Sequence, residues 1–196
     1  MGLPDPDRLE ELFGGKRPRE ILERLFDGDP LELGARCRSR LEESAYLLDL
    51  PRLHLRVLAR IAHRGSHYRG DPPLAEWLSQ RIEDSIHELL EEDRDAERQG
   101  LLPQVPMDPR YKFVSELLGM EPLLARRACV AFNVLPLEVR CAWFAIAVHG
   151  TSVNRYVAEG HGPPEKVKAQ VKLALTQMAS ATRPRPSEGG GDRVGP

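Results

Sequence analysis

Apolar residues recur along almost the whole chain at three- and four-residue steps, the spacing of one face of an α-helix. Leu9, Leu12 and Phe13 open the pattern. Ile21, Leu22, Leu25 and Phe26 extend it behind Pro18, a residue suited to a helix's first turn. Leu31 to Leu48 predicts a longer helix, with Cys37, Leu41, Ala45 and Leu48 near one face. Pro51 opens another that runs to about His63, where Gly65 stops it. The clearest stripe is Leu74, Trp77, Leu78, Ile82, Ile86, Leu89 and Leu90, all on one side of a single helix. Ahead of it, Gly70-Asp71-Pro72-Pro73 predicts a turn, with Asp71 placed to cap and Pro72 at the first helical position.

Pro103, Pro106 and Pro109 then break the pattern. Residues 100–109 read as a linker between a helical domain at 1–99 and a second at 110–180. The second predicts helices over Tyr111–Leu118, Leu123–Phe132, Pro136 to Gly150, Ser152–Ala158 and Glu165 to about Met178. The stretch Val139–Val148 is apolar enough for a buried strand, but its length and the preceding Leu-Pro favour a buried helix. Residues 181–196, rich in Pro, Gly and charge, predict a disordered tail. The expected fold is all-α, two small helical domains in 196 residues.

Charge narrows the function. The chain holds 28 Lys and Arg against 30 Asp and Glu, so a nucleic-acid or membrane partner must meet a local patch rather than a cationic coat. The longest apolar run, Cys141–Val148, is too short for a membrane span. The first residues lack a secretory pattern, and Cys37, Cys129 and Cys141 are scattered and odd in number. Together these predict reduced thiols in a cytoplasmic protein. His63 and His67 flank Gly65 and do not share a helical face, so no metal site is expected. No cofactor motif and no nucleophile–base pair appears, which leaves an enzyme the least supported class.

The second domain ends in a helix-turn-helix pattern. A buried helix begins at Leu135-Pro136 and closes at Gly150; a short helix follows Ser152; Pro164 precedes a terminal helix. Val167, Val171, Ala174 and Leu175 are expected to face inward. Lys166, Lys168, Gln170 and Lys172 are expected on the outer face, where ammonium groups pair with phosphates and the amide reaches base edges in a major groove. With Val167-Lys168 after Pro164, this segment resembles region 4 of sigma-70 type RNA polymerase sigma factors, above all the extracytoplasmic-function group. Gly160-His161-Gly162 stands where that family has a Leu-Gly turn. Tyr68-Arg69-Gly70, Pro73 and Trp77-Leu78 resemble the family's region 2, as does the Leu89-Leu90 pair. The resemblance spans roughly residues 20–98 and 121–178. It implies a transcription protein that positions RNA polymerase core on duplex promoter DNA, with Tyr68, Arg69 and Trp77 as promoter or partner contacts.

Two departures open an alternative. Where the family carries an acidic and polar signature, this chain has Arg52-Leu53-His54-Leu55-Arg56. The helix after Trp77, where the family is basic, holds eight acids against three Arg between Gln80 and Arg98. Arg52, Arg56, Arg60 and Arg64 fall at four-residue steps. They form either a stripe for phosphate or an acidic partner, such as an anti-sigma or other regulatory protein, or a face paired with that acidic helix. The alternative is therefore a sigma-like protein-interaction scaffold or regulator without initiation activity. Trp77 and Trp143 read mainly as core residues; Tyr68 carries the further reading of stacking on a melted base.

Overall fold

A computed structural model of the chain describes residues 11–102 and 109–183. Its elements among these are helical: α1 (Pro18–Phe26), α2 (Leu33–Glu43), α3 (Leu50–Gly65), α4 (Leu74–Gln99), α5 (Pro109–Leu118), α6 (Pro122–Asn133), α7 (Leu137–Trp143), α8 (Val153–Ala158) and α9 (Pro164–Ala181). A π-helical turn, Phe144–Val148, continues α7. The all-α expectation therefore holds. The proposed linker core, 103–108, and the tail beyond 183 lie outside the described residues, as do Leu9 and the chain before it.

Local chemistry explains the helix ends. Asp49 caps α3 by accepting the Arg52 N–H, and Pro51 sits in the first turn. Gly100, at φ 70°, ends α4 in the left-handed conformation that glycine adopts without strain. Gly65 ends α3, and its bareness is also a packing requirement. A Cβ there would lie 2.7 Å from Phe13 Cδ1, so Phe13 fits against the helix because the side chain is missing. Two expectations shift. The helix of the clearest stripe starts at Leu74 rather than at Pro72, with Pro73 as its N-cap, so Asp71 does not cap it. The helix expected over Leu31–Leu48 ends at Glu43, because Ala45 takes φ 49° and turns the chain away.

The apolar positions collect into two main clusters. The first joins Ile21 and Leu25 of α1, Cys37 and Leu41 of α2, Leu53, Val57 and Ile61 of α3, and the whole Leu74–Leu90 stripe of α4. Phe26, expected with Ile21 and Leu25, is 60% exposed. The second joins Phe132 of α6, Trp143 of α7, and Ala174 and Met178 of α9. It also takes in Ala45 and Leu47, from before α3. Ala45 and Leu47 thus pack with residues from beyond position 109.

Polar contacts seal this crossing. Asn133 Oδ1 accepts the Leu47 N–H at 2.8 Å, and Asn133 Nδ2 donates to the Leu47 carbonyl at 3.0 Å. One amide side chain thereby satisfies both groups of a buried residue, as an antiparallel strand neighbour would. Alongside, Asp93 Oδ1 of α4 accepts from Arg126 Nη2 of α6 at 2.9 Å and from Arg52 Nη1 of α3 at 2.6 Å. The Asp93 and Arg126 side chains are 6% and 4% exposed. A buried ion with one partner removed is uncompensated, at a cost of about 3–5 kcal/mol. Asp93→Ala should therefore lower unfolding free energy by about that amount in urea denaturation. Arg17→Ala, which breaks an exposed pair with Glu20, should cost no more than about 1 kcal/mol. Equal costs for the two would overturn this account of the seam.

Candidate nucleic-acid interface and the arginine stripe

The segment that holds α7, α8 and α9 is built from the inside out. Trp143, fully buried, packs against Phe132 with ring centroids 4.8 Å apart. Ala142, Tyr156 and Val167 form a smaller cluster that ties α7, α8 and α9 together. The apolar run Val139–Val148 is helical, its last turn widened so that the His149 N–H reaches the Phe144 carbonyl at 3.0 Å. Gly150, at φ 64°, turns the chain, and Ser152 caps α8 by accepting the Arg155 N–H.

The inner face of α9 differs from expectation in one functional residue. Val167, Gln170, Ala174 and Met178 are its buried positions. Gln170 is only 8% exposed, so it is not among the outward groups; steps of three and four from Val167 carry it inward. Leu175, expected inside, is 37% exposed, and Met178 takes its place in the core. The outer face keeps Lys166, Lys168 and Lys172, all exposed. Lys166 Nζ lies 2.9 Å from Glu138 Oε2 on α7, and Lys168 Nζ lies 2.9 Å from Glu165 Oε1 one turn earlier. Lys172 has no ion pair among the described residues. Exposed pairs of this kind are worth about 0–1 kcal/mol, so a phosphate can displace either carboxylate. Lys168 and Lys172, four residues apart, share one side of α9.

The arginine stripe meets a different fate. Helices α3 and α4 run antiparallel, and each four-residue step along α3 finds an acid one step back along α4. Arg52 reaches Glu92 and Asp93, both at 2.6 Å. Arg56 reaches Glu92 at 2.8 Å and Glu88 at 3.3 Å. Arg60 reaches Asp84 at 3.5 Å and pairs closely with Glu88. These three guanidinium groups are therefore engaged with acids of the same chain, as in the alternative of a face paired with the acidic helix. Arg64, exposed at the end of α3, has no ion pair among the described residues. Burial alone would lower the Arg52 pKa, but the Asp93 and Glu92 carboxylates outweigh it and raise it. Hydrogen bonding from Arg60 and Arg56 holds the Glu88 carboxyl below its usual range. For Glu92, burial pushes up, and Arg56 and Arg52 pull down further.

The turn between α3 and α4 is also more inward than expected. Trp77 is 8% exposed and packs against Tyr68, centroids 4.9 Å apart, with Phe13 set edge-on to both. That burial fits the reading of Trp77 as mainly a core residue. Tyr68 is half-buried, and its hydroxyl donates to the Pro72 carbonyl at 2.9 Å. Arg69 is exposed and donates to the Ser66 and Tyr68 carbonyls. Cys37, fully buried, has its thiol pushed up to about 12 by burial and by the nearby Asp29, which makes it inert. Comparison with protein-family models, with curated proteins and with solved structures finds no match.

One signal in the sequence separates the two surfaces. Residues 109–183 carry ten Lys and Arg against five Glu and no Asp, an excess hidden by the near-neutral total. Three of those ten are the outward lysines of α9.

The ladder has a testable sign. Glu88 and Glu92 have folded pKa values below the unfolded value of about 4.3, so their contribution is present above that pH and lost below it. Stability should stay level between about pH 7 and 5, then fall as pH drops below about 4.3. Replacing Arg52, Arg56 and Arg60 together with Gln should flatten that fall. Urea midpoints measured across pH read both effects, and a profile unchanged in the triple variant would rule the ladder out as their source.

Proposed function

We propose that this chain is a sigma-factor-like transcription protein that binds duplex DNA through the outer face of α9. The observation that carries the reading is the pairing of form and charge in residues 122–181. Helices α7, α8 and α9 pack around Trp143, Tyr156 and Val167 in the order of a helix-turn-helix. The last helix turns Lys166, Lys168 and Lys172 outward. An exposed lysine row on a helix gives phosphate contacts that fix position; base reading needs further side chains, and Gln170 is not one of them. Resemblance to sigma region 4 in Leu135-Pro136, Gly150, Pro164 and Val167-Lys168 supports the same reading.

A second reading rests on the α3–α4 ladder. Arg52, Arg56 and Arg60 are met by acids of the same chain and so do not stand open to phosphate as a row. This favours a sigma-like regulator that holds DNA without starting transcription. Co-purification with RNA polymerase core, under conditions that retain a control sigma factor, separates the two: retention supports initiation, and its absence supports the regulator.

DNA binding by the full chain should weaken as salt rises. The Lys168→Ala, Lys172→Ala double variant should make the slope of log affinity against log salt shallower by about 1.8, roughly 0.9 for each phosphate no longer neutralised. Glu165→Gln, which frees Lys168, should strengthen binding. No binding to duplex DNA, or an unchanged slope in the double variant, would overturn the proposal.

A further inference from the structure

A cleft of about 420 Å³ opens at the seam between α4, the Tyr46 segment and the α6–α7 junction. That volume is within the range of small-molecule sites. Its walls hold Arg140 and Arg94 as cationic groups and His87, whose Nε2 lies 3.5 Å from Glu83 Oε1, with Tyr46, Leu90 and Val134 as the apolar part. Asp93 is the one acid in the lining, and its Oδ1 is already held by Arg52 and Arg126.

Arg140 is the unusual member. It is 6% exposed, yet no carboxylate pairs with it among the described residues. Its guanidinium carbon sits 3.9 Å from the centroid of the Tyr46 ring, which covers one face. Nη1 donates to the Asn133 carbonyl at 2.9 Å, which fixes the rotation of the fork. Nε is buried with no hydrogen-bond partner. A buried arginine is ordinarily paired, because an uncompensated charge away from water is costly. Across the cleft, exposed Arg94 donates only to the Leu90 carbonyl and also has no acidic partner among the described residues. Two guanidinium groups without ion pairs among the described residues thus line one concave, partly apolar space.

We propose that this cleft binds a small organic anion, a phosphate monoester or carboxylate with an aromatic or aliphatic body. Arg140, oriented by Tyr46 and Asn133, meets the head group, and Arg94 closes on it from α4. Tyr46, Leu90 and Val134 receive the body. A planar guanidinium matches the oxygen spacing of both head groups, which ammonium does not. The site is independent of the lysines of α9. Its occupant would touch elements on both sides of the seam, so binding should stabilise the docked arrangement.

Phenyl phosphate, inorganic phosphate, benzoate and phenol, titrated into the full chain by calorimetry and thermal shift, test this. Phenyl phosphate or benzoate should bind saturably at millimolar concentration or below and raise the melting temperature. Phenol, without the charge, should not. Which of the two anions binds more tightly distinguishes a phosphate from a carboxylate source. Arg140→Gln removes the charge but also disturbs the seam, so two surface variants carry the test. Arg94→Ala should weaken binding by about tenfold or more, the loss of one charge-assisted hydrogen bond. Val134→Trp, at a position 54% exposed, should block the cleft and abolish binding while leaving the fold intact by circular dichroism. No saturable binding by any anion, or equal affinity in wild type and both variants, would overturn the site.

Discussion

The molecule depends on how one short non-helical segment is held. Between α2 and α3 the chain alternates: Leu48 stays in the first apolar cluster, while Ala45 and Leu47 insert into the second. Backbone buried without partners is costly, and Asn133 supplies both partners for Leu47. Asp93, set between Arg52 and Arg126, adds a charged bolt beside it. The second cluster is therefore completed by a piece of the first half, and the two halves share a packed seam.

That seam also organises the charge. The stretch 52–98 is rich in both signs, and opposite signs on antiparallel helices meet at a matching four-residue step. The ladder ends where Asp93 bridges from Arg52 to the buried Arg126, so an exposed ion row runs into a buried one. Positive charge without an acidic partner among the described residues also sits in the second half, in Lys172 of α9 and the buried Arg140. A surface for a polyanion and a cleft for a small one thus draw on different residues of the same helical unit.

Most of the helices are legible in the sequence because their apolar steps are long and regular. The Leu74–Leu90 stripe is buried at every position. Trp143 and Phe132 form the expected core. The errors fall where a local pattern has two continuations. Leu31–Leu48 keeps helical spacing past Glu43, but Ala45 at φ 49° redirects it toward a distant cluster that spacing does not encode. On α9 the apolar pattern is weak, since Leu173 and Leu175 are exposed and a polar residue, Gln170, lies on the packed face. Small-residue and polar positions leave the phase of such a helix undetermined until its neighbours are placed.

What the sequence determined alone is the all-α fold, the helix order and most of the helix ends. These follow from contacts within one helical turn or from caps a few residues away. Only the tertiary structure decided which cations are free. Arg52, Arg56 and Arg60 have the same spacing whether solvated or paired, and Arg140 looks like any helical arginine. Their fates rest on the carboxylates of α4 and the Tyr46 ring, all remote along the chain, because charge pairing and burial are set by distance in space.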